Sequence, residues 1–178
     1  MKRIAIIGPE STGKSTLCSQ LAKHYLTAWC PEFARQYLSE KGTNYSYHDL
    51  LVIAQEQVAQ EDLLQQSAKD LYFIDTEMYV MKIWCEVVFN NCHTWILKEI
   101  VSRQYDLYLL CATDLPWVAD PLREYPDIQI RQRLFTMYRE TLVSNGCKWA
   151  PIYGSYDLRL KTATALIDVI ANPATGSR

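Results

Sequence analysis

The sequence lacks both an apolar run long enough to cross a membrane and a recognisable export signal. A membrane-spanning helix needs about 18 or more apolar residues, and no stretch of this chain approaches that length. The first residues, MKRIAIIG, hold only four apolar side chains before the glycine, fewer than the apolar core of a signal peptide. We therefore expect a cytoplasmic protein that does not bind membranes.

The chain also lacks an excess of charge of either sign. Its 18 Lys and Arg against 20 Asp and Glu give a formal net charge of -2. Proteins that bind nucleic acid or an anionic lipid surface usually present a basic field. We expect neither of these partners, and a small soluble molecule fits the charge balance better.

Closely spaced cysteine pairs are missing as well. The six cysteines lie far apart, and none forms a C-x-x-C motif or stands with histidine at the spacing of zinc ligands. Free cysteine is among the most buried residue types. We interpret these six as reduced, mostly buried side chains, with a reactive or metal-bound thiol as the alternative.

The chain does have enough apolar sequence for one core. It contains 178 residues, of which 49% are hydrophobic, and a chain of this length usually forms a single domain. We expect that domain to extend over 1–171. The remaining segment, 172–178, is small and polar, and we expect it to be flexible.

Short apolar runs alternate with helical patterns along the chain. The runs predict strands at 2–7, 27–30, 71–75, 105–113 and 149–153. Apolar residues at helical spacing predict helices at 14–26, 32–40, 47–68, 127–144 and 156–171, and two more within 76–104 that are separated near Asn90 and Asn91. Ser46 and Asp49 resemble a capping box at the start of the third helix. The alternation predicts an α/β fold, a five-stranded parallel sheet with helices on both faces and a site at the carboxyl ends of its strands.

The stretch GPESTGKS, residues 8–15, matches the P-loop pattern G-x-x-x-x-G-K-[ST] between a predicted strand and a predicted helix. The glycines let successive backbone N–H groups turn toward phosphate oxygens, and the helix N-terminus adds partial positive charge. Lys14 is expected at the β and γ oxygens, Ser15 at Mg²⁺ and Thr16 near the α-phosphate. The sequence thus predicts a P-loop NTPase that binds ATP or GTP with Mg²⁺ through Gly8, Glu10, Ser11, Thr12, Gly13, Lys14, Ser15 and Thr16.

Two large classes of P-loop protein lack their signatures here. A GTPase would carry D-x-x-G after a strand and N-K-x-D for guanine, whereas Asp75 is followed by Thr-Glu-Met and no N-K-x-D occurs. A transporter ATPase would carry an L-S-G-G-Q-like motif, which is also missing. Small-molecule kinases and small regulatory ATPases remain.

Asp75 ends the predicted strand LYFID, where a P-loop protein places the carboxylate that holds Mg²⁺. A carboxylate near both the metal and the γ-phosphate could also take the proton of an acceptor hydroxyl. We treat Asp75 as a candidate catalytic, substrate-binding and metal-binding residue. The alternative is that Asp75 caps a helix that begins at Thr76.

Glu32 and Arg35 follow the second predicted strand in the sequence PEFAR. In kinases of this architecture that position faces the acceptor, so Glu32 could hold ribose hydroxyls or act as the base while Arg35 steadies the complex. The alternative is an exposed ion pair between residues three apart on one helical face, which would mean little.

The segment DLPWVADPLRE is rich in proline and charge, and we expect a lid at about 114–133. Lid arginines stabilise the phosphoryl group during transfer and exclude water. Arg123 is the first candidate for this role, while Arg131 and Arg133 could equally lie on a solvated helix face. Trp117, beside Asp114 and Asp120, suits stacking on a flat cationic ring, and its alternative is to pin the loop to the core.

Several motifs together resemble the ribosylnicotinamide kinase domain of NadR-type NAD-biosynthesis proteins. They are GPESTGKST, PEFARQYL, FIDTEMY, YDLYLL with DLPWVADPLRE, and a final YGSYDLRL, in that order from about 2 to 170. The resemblance implies ATP-dependent phosphorylation of the 5′-hydroxyl of nicotinamide riboside to give nicotinamide mononucleotide. It also implies that the segment with Tyr156 and Arg159 packs on the adenine or phosphates of ATP.

The chain departs from that family in three ways. An adenylyltransferase domain and a helix-turn-helix are not expected in 178 residues, so the resemblance implies a stand-alone kinase domain. In the lid, Pro121 follows Asp120 where the family usually has glycine. At the strand end the sequence reads Asp75-Thr76-Glu77, where a second aspartate is common in the family. Two alternatives stay open: a kinase for another nucleoside, nucleotide or metabolite, and a regulatory ATPase that acts on a protein partner.

Overall fold

The structure, a computed structural model, describes residues 1–171. Five parallel strands form one sheet in the order β2-β3-β1-β4-β5. They are β1 (Lys2–Ile7), β2 (Trp29–Cys30), β3 (Leu71–Asp75), β4 (Leu107–Cys111) and β5 (Trp149–Ile152). The predicted five-stranded parallel sheet is confirmed, and the segment 172–178, predicted to be flexible, lies outside the described residues.

Seven helices occur within residues 1–171, each close to a position that the sequence predicts. They are α1 (Lys14–His24), α2 (Phe33–Lys41), α3 (Tyr47–Gln65), α4 (Met78–Phe89), α5 (Thr94–Ser102), α6 (Ile128–Ser144) and α7 (Tyr156–Ala171). Within that range no helix combines the length and the apolar composition needed to cross a bilayer.

Two predicted strands are longer than the strands in the structure. The second strand begins at Trp29 instead of at 27, because Leu26 has a positive φ of 52° and Thr27 binds the Leu71 carbonyl through its hydroxyl instead of joining the sheet. The fourth strand occupies only Leu107–Cys111, since that is where its neighbours β1 and β5 supply partners. An apolar run therefore overestimates a strand wherever no neighbouring strand accompanies it.

The sheet is covered on both faces, as the sequence predicts. Alternate residues of β1 point to opposite layers: Ile4 and Ile6 pack with α1 and α7, whereas Ala5 and Ile7 pack with α4 and α6. A parallel strand that is buried on both faces needs apolar residues at every position, which explains the uninterrupted run IAII.

Local signals set the ends of α3, α4 and α6. Ser46 and Asp49 form the predicted capping box, because the Ser46 hydroxyl accepts from the Asp49 N–H and the Asp49 carboxylate accepts from the Ser46 N–H. Asn90 adopts the left-handed conformation that ends α4 before α5. Asp127 accepts from the Gln129 N–H at 2.7 Å and caps α6, so 128–133, the last part of the predicted lid, is helical.

Candidate active site

A cavity of about 350 Å³ lies at the carboxyl ends of the strands, where the sequence predicts the site. The P-loop forms one wall, α2 and α4 form another, and the segment 112–127 between β4 and α6, which we call the lid segment, closes it together with α6. The cavity thus joins a phosphate-binding loop to a second, partly apolar compartment lined by Glu32, Ala34, Arg35, Leu38, Val80, Ile83, Trp84, Val87, Leu134 and Tyr138.

Two glycines shape the P-loop. A Cβ placed on Gly8 would lie 2.6 Å from the Cys111 carbonyl oxygen, so only glycine lets the end of β1 pass this close to β4. Gly13 has a φ of 76° and precedes the first residue of α1. That left-handed turn lets the chain pass from the loop directly into the helix, whose N-terminus therefore faces the cavity.

Lys14 is directed back onto its own loop. Its Nζ donates to the Pro9 carbonyl at 2.9 Å, and the Thr12 hydroxyl donates to the same oxygen at 2.7 Å. Ser15 and Thr16, in contrast, are exposed at the start of α1. To reach a phosphate oxygen, the Lys14 ammonium has only to exchange this one carbonyl for the phosphate.

Asp75 lies beneath the P-loop with a fully buried carboxylate. Its strand neighbour is Ile6, near the end of β1, and within residues 1–171 neither carboxylate oxygen has a hydrogen-bond partner. Burial and the charge of Glu32 raise the pKa of Asp75 to about 7, although the Lys14 ammonium and the nearby Ser15 hydroxyl lower it. A buried carboxylate without donors fits a cation or a transferred proton.

The alternative role for Asp75, that of a helix cap, does not hold. Helix α4 begins at Met78 and not at Thr76, and its cap is Glu77, whose carboxylate accepts from the Tyr79 N–H at 2.9 Å. Burial raises the pKa of Glu77 to about 8. The structure therefore separates a capping carboxylate from one that faces the P-loop.

The residues around Asp75 suit a magnesium ion. Mg²⁺ prefers oxygen ligands and usually keeps several waters while it binds one or two protein groups and substrate phosphates. The predicted ligands Ser15 and Asp75 supply a hydroxyl and a carboxylate with no competing hydrogen bond. Among the described residues no three His, Cys, Asp or Glu side chains cluster into a metal site, so an ion here would depend on these two groups and on phosphate oxygens.

Glu32 and Arg35 both line the cavity from α2, but no ion pair between them is found in residues 1–171. The first N–H of α2 is bound by the side chain of Gln57 at 2.7 Å, so the Glu32 carboxylate makes no capping bond. Arg35 instead pairs with Asp120 of the lid segment. The alternative of a simple surface pair within α2 is wrong, and Asp120 lies where it ties α2 to the lid segment.

The candidate arginines of the lid lie in three different environments. Arg123 lines the cavity and donates from Nη1 to the Val118 carbonyl. Arg131 is only 3% exposed, and in residues 1–171 its Nε and Nη1 have no partner. It shares a face of α6 with Leu134 and Tyr138, which line the cavity, whereas Arg133 is exposed. A solvated position is therefore right for Arg133 and wrong for Arg131.

Trp117 does not line the cavity, which argues against its predicted stacking role. It is half-buried, and its Nε1 has no partner in the described part of the chain. The aromatic side chains that do line the cavity are Trp84, Tyr125, Tyr138 and Tyr156. Sequence reasoning missed Trp84 and Tyr138, because their apolar helical spacing is also that of ordinary core residues.

Arg159 and Tyr156 lie behind and beside the P-loop. Arg159 is 1% exposed and donates to the carbonyls of Thr12, Ala112 and Gly154 at 3.1, 3.1 and 2.8 Å, and to the Asp114 carboxylate. Because all these bonds are to protein oxygens, this placement disfavours the predicted contact between Arg159 and ATP. Tyr156 instead lines the cavity next to Gly13.

Comparisons with known proteins agree with this architecture. A family model described as an AAA domain matches residues 3–159. The trifunctional NAD biosynthesis/regulator protein NadR of Salmonella typhimurium is 28% identical in an alignment of 174 residues that covers 94% of this chain and 42% of that protein. The chain therefore spans less than half the length of the curated relatives it matches, and the NadR-type resemblance is confirmed.

Two solved structures share the fold. The crystal structure of NadR protein in complex with NR has a TM-score of 0.78 at 19% identity and covers 99% of this chain and 52% of that one. Thymidylate kinase from Ehrlichia chaffeensis has a TM-score of 0.63 at 15% identity, with coverage of 93% and 98%. These likenesses support the P-loop α/β fold.

Proposed function

The chain belongs to the AAA domain family, and from this membership and the cavity we propose that it is an ATP-dependent kinase. Its proposed reaction is the transfer of the γ-phosphoryl group of ATP to the 5′-hydroxyl of nicotinamide riboside, which gives nicotinamide mononucleotide and ADP.

One observation carries the proposal: a single cavity is lined by the P-loop, by the Glu32 carboxylate and by the Trp84 ring. Phosphoryl transfer needs donor and acceptor in line, with cations on the moving group. The P-loop supplies a cradle for the donor. A carboxylate that hydrogen-bonds ribose and an aromatic wall that packs on a base give the other compartment the chemistry of a nucleoside site.

Each proposed catalytic group has a separate task. Lys14 leaves the Pro9 carbonyl to bind β and γ oxygens. Ser15 and Asp75 would hold Mg²⁺, which would neutralise phosphate charge when bound. Asp75 also accepts the proton of the attacking hydroxyl. Glu32 orients the ribose, and Arg123 with Arg131 supplies positive charge from the lid side.

The relatives support this acceptor. The NadR relative is named for NAD biosynthesis, and a structure with the same fold holds NR. Thymidylate kinase shares the scaffold, but a nucleotide acceptor brings a phosphate that must be neutralised. Here Arg35 is already paired with Asp120, and Glu32 would repel a second phosphate.

The test is ADP release from Mg²⁺-ATP with a panel of acceptors: nicotinamide riboside, common nucleosides, nucleoside monophosphates, and none. We expect strong stimulation by nicotinamide riboside and loss of it in Lys14→Met. Stimulation by a monophosphate would replace the proposal with a nucleotide kinase. Turnover that ignores every acceptor would contradict it and favour a regulatory ATPase.

A further inference from the structure

Two side chains of the P-loop accept hydrogen bonds from the backbone of the lid segment. The Glu10 carboxylate accepts from two adjacent backbone N–H groups, those of Glu124, at 2.9 Å, and Tyr125. The Ser11 hydroxyl accepts from the Val118 N–H at 3.1 Å. Glu10 and Ser11 were predicted to serve the cradle through their backbone, so their side chains are available for this second task.

The lid segment is also hydrogen-bonded on the Trp84 side of the cavity. The Glu124 carboxylate accepts from the Tyr45 hydroxyl at 2.9 Å, and that hydroxyl accepts from the Trp84 Nε1–H at 2.9 Å. The Tyr45 and Trp84 rings also meet edge to face, with centroids 5.1 Å apart. Trp84 lines the proposed acceptor compartment, so these bonds reach the wall against which an acceptor would pack.

These contacts form one connected set of hydrogen bonds. It runs from Glu10 in the phosphate cradle through the backbone at 124–125 to Glu124, and from there to Tyr45 and Trp84. Hydrogen bonds to a carboxylate are stronger than those between neutral groups. A movement of the lid away from the cavity must break bonds at both ends, so its closed position depends on both walls at once.

We propose that Glu10 and Glu124 are positioning residues that clamp the lid segment between the phosphate cradle and the Trp84 wall, so that water is excluded from the γ-phosphate while an acceptor is bound. This inference rests on the proposed kinase function. Neither carboxylate touches a reacting atom in this scheme; both act through the lid.

The clamp predicts a particular pattern of kinetic defects. Without Glu10 the lid is released from the cradle, so water competes with the acceptor for the γ-phosphoryl group and the acceptor binds less tightly. Glu10→Gln retains one acceptor oxygen for the two N–H groups and should lie between the wild type and Glu10→Ala. A loop residue that only shapes the cradle would instead raise KM for ATP.

The first experiment measures ADP and phosphorylated nicotinamide riboside in the same reaction. In Glu10→Ala we expect the ratio of ADP to product, near one in the wild type, and KM for the acceptor each to rise by at least about tenfold, since both charge-assisted hydrogen bonds of Glu10 are lost. KM for ATP should change less. Glu56→Ala, at an exposed position of α3, is the matched control. A ratio that stays at one in Glu10→Ala would overturn the clamp.

A second experiment does not depend on the acceptor. Hydrogen exchange of the lid amides at 118–125 is compared in the wild type, Glu10→Ala and the Glu56→Ala control, without substrate. The clamp predicts exchange about tenfold faster in Glu10→Ala alone, and unchanged exchange contradicts it. If wild-type protein fails to phosphorylate any nucleoside while exchange responds as predicted, the proposed function fails and the clamp stands.

A double variant separates one clamp from two independent contacts. Because Glu10 and Glu124 hold the same segment, the acceptor KM of Glu10→Ala/Glu124→Ala should exceed that of the worse single variant only slightly. Effects that multiply would show that the two ends act separately and would overturn the coupling between them.

Discussion

At the scale of single residues, Asp75 combines full burial with two carboxylate oxygens that have no hydrogen bond from the described residues. Proteins seldom keep an uncompensated buried carboxylate unless it serves a ligand, a metal or a proton. The neighbouring Glu77 is just as buried, but backbone N–H groups stabilise its carboxylate. Burial alone therefore does not mark the functional group; burial without partners does.

Asp75 should make stability fall as the pH rises. Its pKa is about 7 in the folded protein against an ordinary 3.8. Below about pH 4 the carboxyl is protonated in both the folded and the unfolded protein, so it does not reduce the free energy of unfolding. Between about pH 4 and 7 the Asp75 carboxyl ionises in the unfolded protein but stays largely protonated in the folded one, so the free energy of unfolding falls as the pH rises. Asp75→Asn should thus be more stable than the wild type near pH 8, by on the order of 4 kcal/mol, and the difference should shrink toward pH 5.

Urea unfolding without Mg²⁺ at several pH values measures this difference. An Asp75→Asn variant that is less stable than the wild type near pH 8 would show that the carboxylate has stabilising partners in solution.

The same variant tests the catalytic role of Asp75. We expect Asp75→Asn to lose more than about 100-fold in kcat, the scale of a general base or metal ligand, while ATP still binds. Steady-state kinetics and ATP titration measure the two effects. A mild loss of kcat would transfer the role of base to Glu32, which lines the same cavity.

Gly8 sets how closely the P-loop approaches β4. Gly8→Ala would place a Cβ 2.6 Å from the Cys111 carbonyl oxygen at a φ of 141°, so we expect a loss of roughly 3 kcal/mol in unfolding free energy together with weaker ATP binding. Gly146→Ala is the control, because Gly146 also has a positive φ but its Cβ would meet nothing within 4 Å. Equal losses in the two variants would contradict the close approach.

At the scale of elements, α6 holds a buried arginine, Arg131, beside the residues that line the cavity. Arg131 lies one turn before Leu134, which lines the cavity, and its Nε and Nη1 are unpaired among the described residues. The helical spacing predicts which residues share a face of α6. It does not predict that a charged one is buried, because only the packing of α6 under the lid segment decides this.

Arg131→Met should stabilise the ligand-free protein and impair catalysis. Replacing a buried, unpaired guanidinium by an apolar chain of similar length removes a desolvation cost, so we expect Tm to rise by about 3 °C or more. The kcat should fall at least about tenfold, because phosphoryl charge loses a cation. Thermal unfolding and kinetics measure both, with exposed Arg133→Met as control. A lower Tm would show that Arg131 stabilises the fold, and an unchanged kcat would show that it does not contribute to catalysis.

The elements also show where sequence reasoning ends. GPESTGKS and the strand end at Asp75 are local patterns, and the structure places both where they were predicted. Trp84 was missed because MYVMKIWCEVVF reads as a buried helix on every side. Arg159 was assigned to ATP because the family resemblance implies that its segment packs on the nucleotide, whereas its guanidinium is turned inward to four protein oxygens.

At the scale of the whole molecule, the sheet and its two covering layers follow from the alternation of apolar runs with helical patterns. The strand order β2-β3-β1-β4-β5 could not be predicted in this way, because each strand's pattern gives its burial and not its neighbour. That order places β1 between β3 and β4. It therefore brings Gly8, Asp75 and the start of the lid segment to one point from three distant parts of the chain.

The most direct test of the proposed reaction follows the phosphoryl group itself. ATP labelled in its γ-phosphate is incubated with Mg²⁺, nicotinamide riboside and the protein, and the products are separated and identified by mass spectrometry. We predict that the label appears in nicotinamide mononucleotide, in an amount equal to the ADP formed. Label found only in inorganic phosphate, or only on another acceptor, would contradict the account.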